Sequence, residues 1–161
     1  MLVQKSCSDS FIENYKLAMA LINNGQYPED VNEYGGLREE LFDRIYEIEK
    51  ELSDALGVDF VETIKQGLFG KYVYLKKYQK GYVLKNIDNG KFYQVLALTT
   101  PIEDLVPEYS IIKTAILSYK ENLICDGLVI HQGVFLGKNM SKEIRNEFWQ
   151  EKRAGNLIEN R

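Results

Sequence analysis

The residues best suited to binding a partner lie between positions 65 and 91, where seven lysines accompany one acidic residue. Tyrosines are interleaved with these lysines on predicted strands. Lysine contacts phosphates and tyrosine stacks on bases, which is how sheet platforms hold single-stranded nucleic acids. The candidate binding residues of this face are Tyr72, Tyr74, Lys76, Lys77, Tyr78 and Lys80.

The same composition also has a purely structural explanation. Lysine is common on edge strands, where its charge blocks aggregation, and tyrosine is a normal strand residue. Arginine, the usual reader of base edges, is absent from positions 65–91. Nucleic-acid binding through this face is one alternative, and an ordinary strand face is the other.

Nucleophilic catalysis by serine or cysteine requires a base, and His131 is the only histidine in the chain. Cys125 would be its plausible partner. A strand of about 3.3 Å per residue places the two about 20 Å apart, so they meet only if the strand folds back. A buried cysteine and a turn histidine are the favoured interpretation. An enzyme would instead need a pocket that gathers His131, Asp126 and Glu143.

The residue spacing gives little support for a metal site or a phosphate-binding loop. One histidine and two cysteines without a CxxC pair argue against zinc. Carboxylates for magnesium could come from Asp126 with Glu143 or Glu147, but no DxD-like spacing supports them. Neither GxxxxGK[ST] nor GxGxxG occurs, and a plain turn explains Gly137-Lys138. We expect no metal and no cofactor.

Asp126-Gly127 interrupts an apolar stretch. Inside a strand, this dipeptide most often marks a bulge where the backbone bends or another group comes close. A buried Asp126 needs a cationic or hydrogen-bonding partner. Lys113, on the adjacent predicted strand, is a candidate for that role, so both residues join the candidate binding residues.

Helical periodicity fills the first part of the chain. Ser8 or Ser10 is expected to cap the first helix, which Asn24-Gly25 ends. A second helix starts near Gly35-Gly36, carries an apolar stripe and stops at Gly57, and a short third helix follows it. The spacing therefore predicts a helical hairpin and one further short helix.

The period then changes from 3.6 to 2, which predicts a mainly antiparallel sheet of five or six strands. The strongest hairpin signal is Asp88-Asn89-Gly90. The predicted strands cover residues 71–78, 82–87, 91–98, 111–119, 123–130 and 134–136. A helical turn is expected at 100–105, and a last helix from Ser141 to Gly155.

Length and composition fit one α+β domain covering residues 1–161. Its acidic helical part is 1–66, and its basic part, the sheet plus the C-terminal helix, is 67–161. Residues 1–64 contain 5 Lys and Arg against 14 Asp and Glu, whereas 65–161 contain 15 against 10. The opposite charges either attract each other weakly or mark two faces for different partners.

Two cysteines far apart in the sequence favour a reducing compartment. The first ten residues lack the apolar region of a signal peptide, and no later stretch approaches 18 uninterrupted apolar residues. We therefore expect a cytoplasmic protein with no membrane partner.

Four segments of the second part carry a family resemblance: residues 92–98, 114–119, 122–128 and 152–158. Together they resemble a family of uncharacterised bacterial proteins in which a strand pair around an IxxDGL-like turn precedes a C-terminal helix. Some of those relatives carry a SEC-C zinc motif. This chain lacks the cysteine-rich tail, so the resemblance, over residues 68–158, implies no metal site. It implies a bacterial or phage origin and the same sheet-plus-helix module, and no activity.

The absence of a catalytic constellation favours a non-enzymatic accessory protein that binds another macromolecule, most of all a protein. The binding surface is expected to be the acidic helical arm or the Lys/Tyr sheet face. Single-stranded nucleic acid is the alternative partner, self-association into a homo-oligomer is open, and an unrecognised enzyme is the third hypothesis.

Overall fold

The change of period near residue 67 is the boundary between helices and sheet in a computed structural model, which describes residues 1–159. Three helices come first, then a sheet with a short helix inserted, and then a last helix, so the α+β class is confirmed. The elements are α1 (Lys5–Ile22), α2 (Val31–Leu56), α3 (Val58–Lys65), β1 (Leu68–Tyr78), β2 (Gly81–Asn86), β3 (Phe92–Val95), α4 (Ile102–Leu105), β4 (Ser110–Tyr119), β5 (Asn122–Cys125), β6 (Ile130–Phe135) and α5 (Lys138–Arg153).

Helix α2 begins at Val31, so the predicted start near Gly35-Gly36 is wrong. The Asp30 side chain accepts a hydrogen bond from the Glu33 backbone N–H at 2.9 Å, and the Glu33 carboxylate accepts one from the Glu29 N–H at 2.8 Å. This reciprocal arrangement satisfies two amides at the helix start. Gly35 lies inside the helix, and its missing side chain leaves room for Ile130.

The predicted serine caps also differ from the structure. Helix α1 begins at Lys5, and the hydroxyl of Ser8 donates to the Lys5 carbonyl at 3.0 Å from within the helix. Helix α5 begins at Lys138, before Ser141. A short hydroxyl side chain can bond within a helix as well as cap one, so a serine alone does not fix the start. Asn24, with positive φ, follows α1 as predicted.

The sheet has the strand order β3-β2-β1-β4-β5, with antiparallel pairing throughout. It curls until its two ends meet. The Leu96 N–H donates to the Leu123 carbonyl at 2.9 Å, and the Cys125 N–H donates to the Leu96 carbonyl at 2.9 Å. These two bonds form a parallel bridge that joins the β3 end of the sheet to β5.

The predicted strand 123–130 is two strands that share one edge of β4. Strand β5 ends at Cys125, and the next N–H, that of Asp126, still donates to the Ala115 carbonyl at 3.0 Å. Gly127 then adopts φ 85, and the chain leaves the sheet before β6 pairs farther along β4. The predicted strand 134–136 is the end of β6 and the residue that follows it.

Three apolar clusters hold the elements together. The inner core fills the curl of the sheet and includes Tyr72, Tyr74, Tyr82, Leu84, Ile112 and Ile116. The helical core joins α1, α2 and α3 to the sheet and includes Phe11, Met19, Leu41, Ile45, Ala115 and Leu117. The outer core joins α5 to β1, β2 and the start of β3 through Val73, Leu75, Val83, Phe92, Ile144 and Phe148.

Residues 1–159 contain no helix that is both long enough and apolar enough to cross a membrane.

Two adjacent glycines of α2 give a test of its packing against β6. A Cβ at Gly35 would lie 2.6 Å from Ile130 Cδ1, whereas one at Gly36 would meet nothing within 4 Å. Alanine is more favourable than glycine in a helix interior by about 1 kcal/mol. We expect Gly36→Ala to raise the free energy of unfolding by about 0.5–1 kcal/mol. Gly35→Ala should raise the free energy of unfolding by less than this, or lower it, because Ile130 must leave its rotamer.

Urea unfolding followed by circular dichroism measures both variants. As a control, Ile130→Val removes the Cδ1 atom, so Gly35→Ala should be better tolerated in that background. Equal effects of the two glycine substitutions in the wild-type background would contradict the packing.

Candidate functional site

The predicted stacking platform is wrong for the tyrosines at its centre. Tyr72 and Tyr74 are 0% exposed and belong to the inner core. Tyr78 is half-buried, with its ring 4.9 Å from that of Phe148. Because the sheet curls, the face of β1 that carries Tyr72 and Tyr74 lies inside the curl, and α5 covers the opposite face. Neither Tyr72 nor Tyr74 can stack on a base.

Two lysines of the same stretch pair with carboxylates of later elements. Lys77 pairs with Glu103 of α4 at 3.3 Å, and Lys85 pairs with Glu147 of α5 at 2.8 Å. The ammonium of Lys76 lies 5.5 Å from the centre of the Tyr78 ring. Lys80 is exposed at the turn between β1 and β2. Part of the positive charge therefore holds the helices against the sheet.

Asp126 is buried and has a cationic partner, but the partner is Arg38 of α2. Arg38 Nη1 lies 3.1 Å from Asp126 Oδ2, and both side chains are almost completely inaccessible. The predicted pairing with Lys113 is wrong, since Lys113 lies 3.7 Å from Glu39 near the surface. Thr114, the next residue of β4, bonds to Asp126, and consecutive strand residues point to opposite faces. Lys113 therefore points away from Asp126.

The Asp126 carboxylate accepts hydrogen bonds from four groups. Besides Arg38, the donors are the Tyr15 hydroxyl at 2.8 Å, the Thr114 hydroxyl at 3.1 Å and the Leu128 N–H at 3.0 Å. The Arg38 guanidinium also donates to the Leu128 carbonyl. A buried charge is tolerated when it is paired and hydrogen-bonded in this way. The arrangement joins α1, α2, β4 and the break after β5 at one point.

Burial controls the acidity of the groups around this carboxylate. It raises the pKa of the Tyr15 hydroxyl well above its ordinary value, with the Asp126 charge as the next cause. It also raises the pKa of the Cys125 thiol to about 11, again with Asp126 as the second cause. Both groups are therefore neutral near pH 7. The buried cluster therefore offers no thiolate nucleophile at that pH.

The residues that an enzyme would have to gather lie apart. His131 Nδ1 accepts from the Gly133 N–H at 2.7 Å, and its ring lies 4.8 Å from that of Phe135. Asp126 lines one cleft and Glu143 lines another. In residues 1–159, no three His, Cys, Asp or Glu side chains are placed to hold a metal ion together.

Much of the acidic charge of α2 is engaged in ion pairs. Arg44 pairs with Glu40 at 2.8 Å and with Glu47 at 3.4 Å. Lys65 of α3 pairs with Glu49 at 3.2 Å. Such pairs on a helix surface contribute little to stability, but they lower the charge available to a partner. The acidic helical part thus presents less unpaired negative charge than its composition indicates.

A groove with exposed apolar residues at its rim runs along α5. Its volume is about 270 Å³. We call it the α5 groove and define it by Val73, Lys85, Ile87, Leu136, Met140, Glu143, Ile144 and Glu147. Ile87 and Met140 at its rim are 44% and 58% exposed. Lys85 pairs with Glu147, whereas Glu143, in the part of the chain that the structure describes, has no basic partner.

Comparisons with known proteins identify no relative of this chain. No protein-family model, curated protein or solved structure matches the chain. The family resemblance and any function derived from it therefore stay predictions, and function has to be argued from the contacts themselves.

Sequence reasoning missed Arg38, although the sequence carries a signal for it. The buried positions of α2 recur as Arg38, Leu41, Ile45, Ile48 and Leu52, so the arginine occupies an apolar position of the helix. A charged residue in such a position needs a buried counter-charge. The sequence also indicates that counter-charge: Asp126 is an acidic residue inside an apolar stretch.

The buried pair makes a testable contribution to stability. Arg38→Met leaves the Asp126 carboxylate buried without a counter-charge, so we expect the free energy of unfolding to fall by about 3–5 kcal/mol. Lys113→Met removes the exposed pair with Glu39 and should cost less than about 1 kcal/mol. Urea unfolding measures both.

Adding Asp126→Asn to Arg38→Met should recover part of the loss, because a neutral amide needs no counter-charge. Losses of similar size for Arg38→Met and Lys113→Met would contradict the role of the buried pair.

The two free cysteines should differ in reactivity. Cys125 is buried and its thiol pKa is raised to about 11, whereas Cys7 is partly exposed. The thiolate is the reactive form. We expect Ellman's reagent at pH 8 to label one thiol per native chain and two after unfolding in urea. Cys7→Ser should abolish fast native labelling, and fast labelling of that variant would contradict the burial of Cys125.

Proposed function

We propose that this chain is a non-enzymatic accessory protein that binds another protein through the α5 groove. The observation that carries the proposal is the exposure of Ile87 and Met140, which line a cavity with apolar residues at its base. Exposed apolar patches with a polar rim mark interaction sites, and methionine adapts to varied partner surfaces. The base of the groove is formed by Val73, Leu136 and Ile144.

The groove also indicates what the partner presents. An apolar side chain would enter between Ile87 and Met140, since buried apolar anchors supply most binding energy at interfaces. Glu143 favours a lysine or arginine beside that anchor, because its charge is otherwise unpaired. The acidic face of α2 supports binding less well, since its exposed aromatic residue, Tyr46, is surrounded mainly by charges.

The alternative of single-stranded nucleic acid loses its geometric support. Small oligonucleotide-binding barrels use the face of their second and third strands. Here the outer face of β1 to β3 is covered by Ile144 and Phe148 of α5, and the opposite face is the inner core. Two of the lysines on these strands, Lys77 and Lys85, are paired with carboxylates.

Photo-crosslinking from inside the groove tests the proposal. A benzoylphenylalanine in place of Met140 should form an adduct with a host protein, and the same residue in place of Val58 should not. Val58 is a matched control because it is 65% exposed and lies at the start of α3, outside the groove. Met140→Glu should weaken capture of that protein at least tenfold, because it places a charge at the anchor position next to Glu143.

Val58→Glu should leave capture unchanged. An adduct with a second copy of this chain would identify self-association as the function of the groove. Adducts that form equally from positions 140 and 58, or capture that survives Met140→Glu, would contradict the proposal.

A further inference from the structure

A second cavity lies over the buried ion pair. It is a cleft of about 220 Å³ between α1, the start of α2 and the segment that follows β5. Ile12, Met19, Leu98 and Leu128 form apolar walls, and the rings of Tyr15 and Tyr34 complete them. The cleft shares no residue with the α5 groove.

The floor of the cleft has no charge left to bind a ligand. Asp126 lines it, but the carboxylate already faces Arg38 and accepts from Tyr15, Thr114 and Leu128. A cation would therefore find no unmatched carboxylate there. The charges under the cleft are therefore matched to each other, although the buried Arg38 Nε itself has no hydrogen-bond acceptor within residues 1–159.

The charge that remains is positive and lies at the mouth. Lys16 is exposed, and its ammonium lies 6.0 Å from the centre of the Tyr34 ring. Within residues 1–159, no carboxylate forms an ion pair with it. Thr99, also exposed at the mouth, adds a hydroxyl. A single cation above apolar walls suits a ligand with one negative charge and an apolar body.

The size of the cleft limits that body. A cavity of about 150 Å³ lined by apolar side chains holds benzene. The present cleft is larger by roughly the volume of a short chain and an acid group, and smaller than the sites of drug-sized ligands. Gly127 helps to keep it open, because a Cβ there would lie 3.3 Å from Leu98 Cδ1.

We propose that this cleft binds a small monocarboxylate with one ring or a short alkyl chain. The apolar body contacts Met19, Leu98 and Leu128, and the carboxylate pairs with Lys16. The binding site is separate from the α5 groove, so it does not rest on the protein-binding proposal.

The three methionines provide the readout. Met19 lines the cleft, Met140 lines the α5 groove, and Met1 is at the chain start, so methyl-labelled methionine gives one reporter signal in the cleft and two outside it. Titration with 3-phenylpropionate should shift the Met19 methyl resonance in a saturable way and leave the other two in place. The uncharged 3-phenylpropanamide should bind more weakly, since it forms no ion pair.

Lys16→Gln tests the charge, and Lys50→Gln is its matched control, an exposed lysine of α2 outside the cleft. We expect Lys16→Gln to weaken 3-phenylpropionate about threefold to fivefold, the value of an exposed ion pair, and to leave the amide unchanged. Lys50→Gln should change neither. The proposal is overturned if Met19 does not shift, if all three methyls shift alike, or if Lys16→Gln leaves the carboxylate affinity intact.

Discussion

The ion pair between Arg38 and Asp126 is the constraint that the two parts of this molecule share. Arg38 belongs to the acidic helical part and Asp126 to the basic sheet, and the contact is fully buried. Burying two charges costs several kcal/mol per ion, about as much as their attraction returns, so the pair by itself is weak evidence of stability. Its structural role is to fix geometry. The carboxylate reaches Arg38 and Tyr15 only because the chain leaves the sheet directly after Cys125.

The break after β5 explains the arrangement of neighbouring elements. Since the chain departs at Asp126 and returns as β6, one edge of β4 carries two strands. Ile130, the first residue of β6, then packs against Gly35 of α2. The break in the chain at Asp126 and Gly127 thus precedes the strand whose first residue packs against α2.

Local periodicity predicted the type of nearly every element, because helices and strands leave different spacings of apolar residues. It could not predict which face of β1 becomes the interior. Tyr72 and Tyr74 alternate as a two-faced strand should, but only the curl of the sheet, closed at Leu96 and Leu123, decides that their face is the core. Arg38 and Asp126 are 88 residues apart, and no local pattern reports a pairing at that separation. The predicted start of α2 near Gly35-Gly36 is wrong for a similar reason. Gly35 lies inside the helix, where the lack of a side chain leaves room for Ile130 of β6.

The ion pairs show how the charges of the two parts are arranged. The Lys113–Glu39 pair joins a base of the sheet part to an acid of the helical part, whereas the buried pair has the reverse polarity. Lys77 and Lys85 pair with acids of α4 and α5, within the basic part itself. These pairs therefore leave most of the charge difference between the two parts in place. The two proposed binding sites are both apolar at their base: the α5 groove lies against the outer core and the cleft against the helical core. Because those two sites share no residue, a substitution in one should leave the other unchanged.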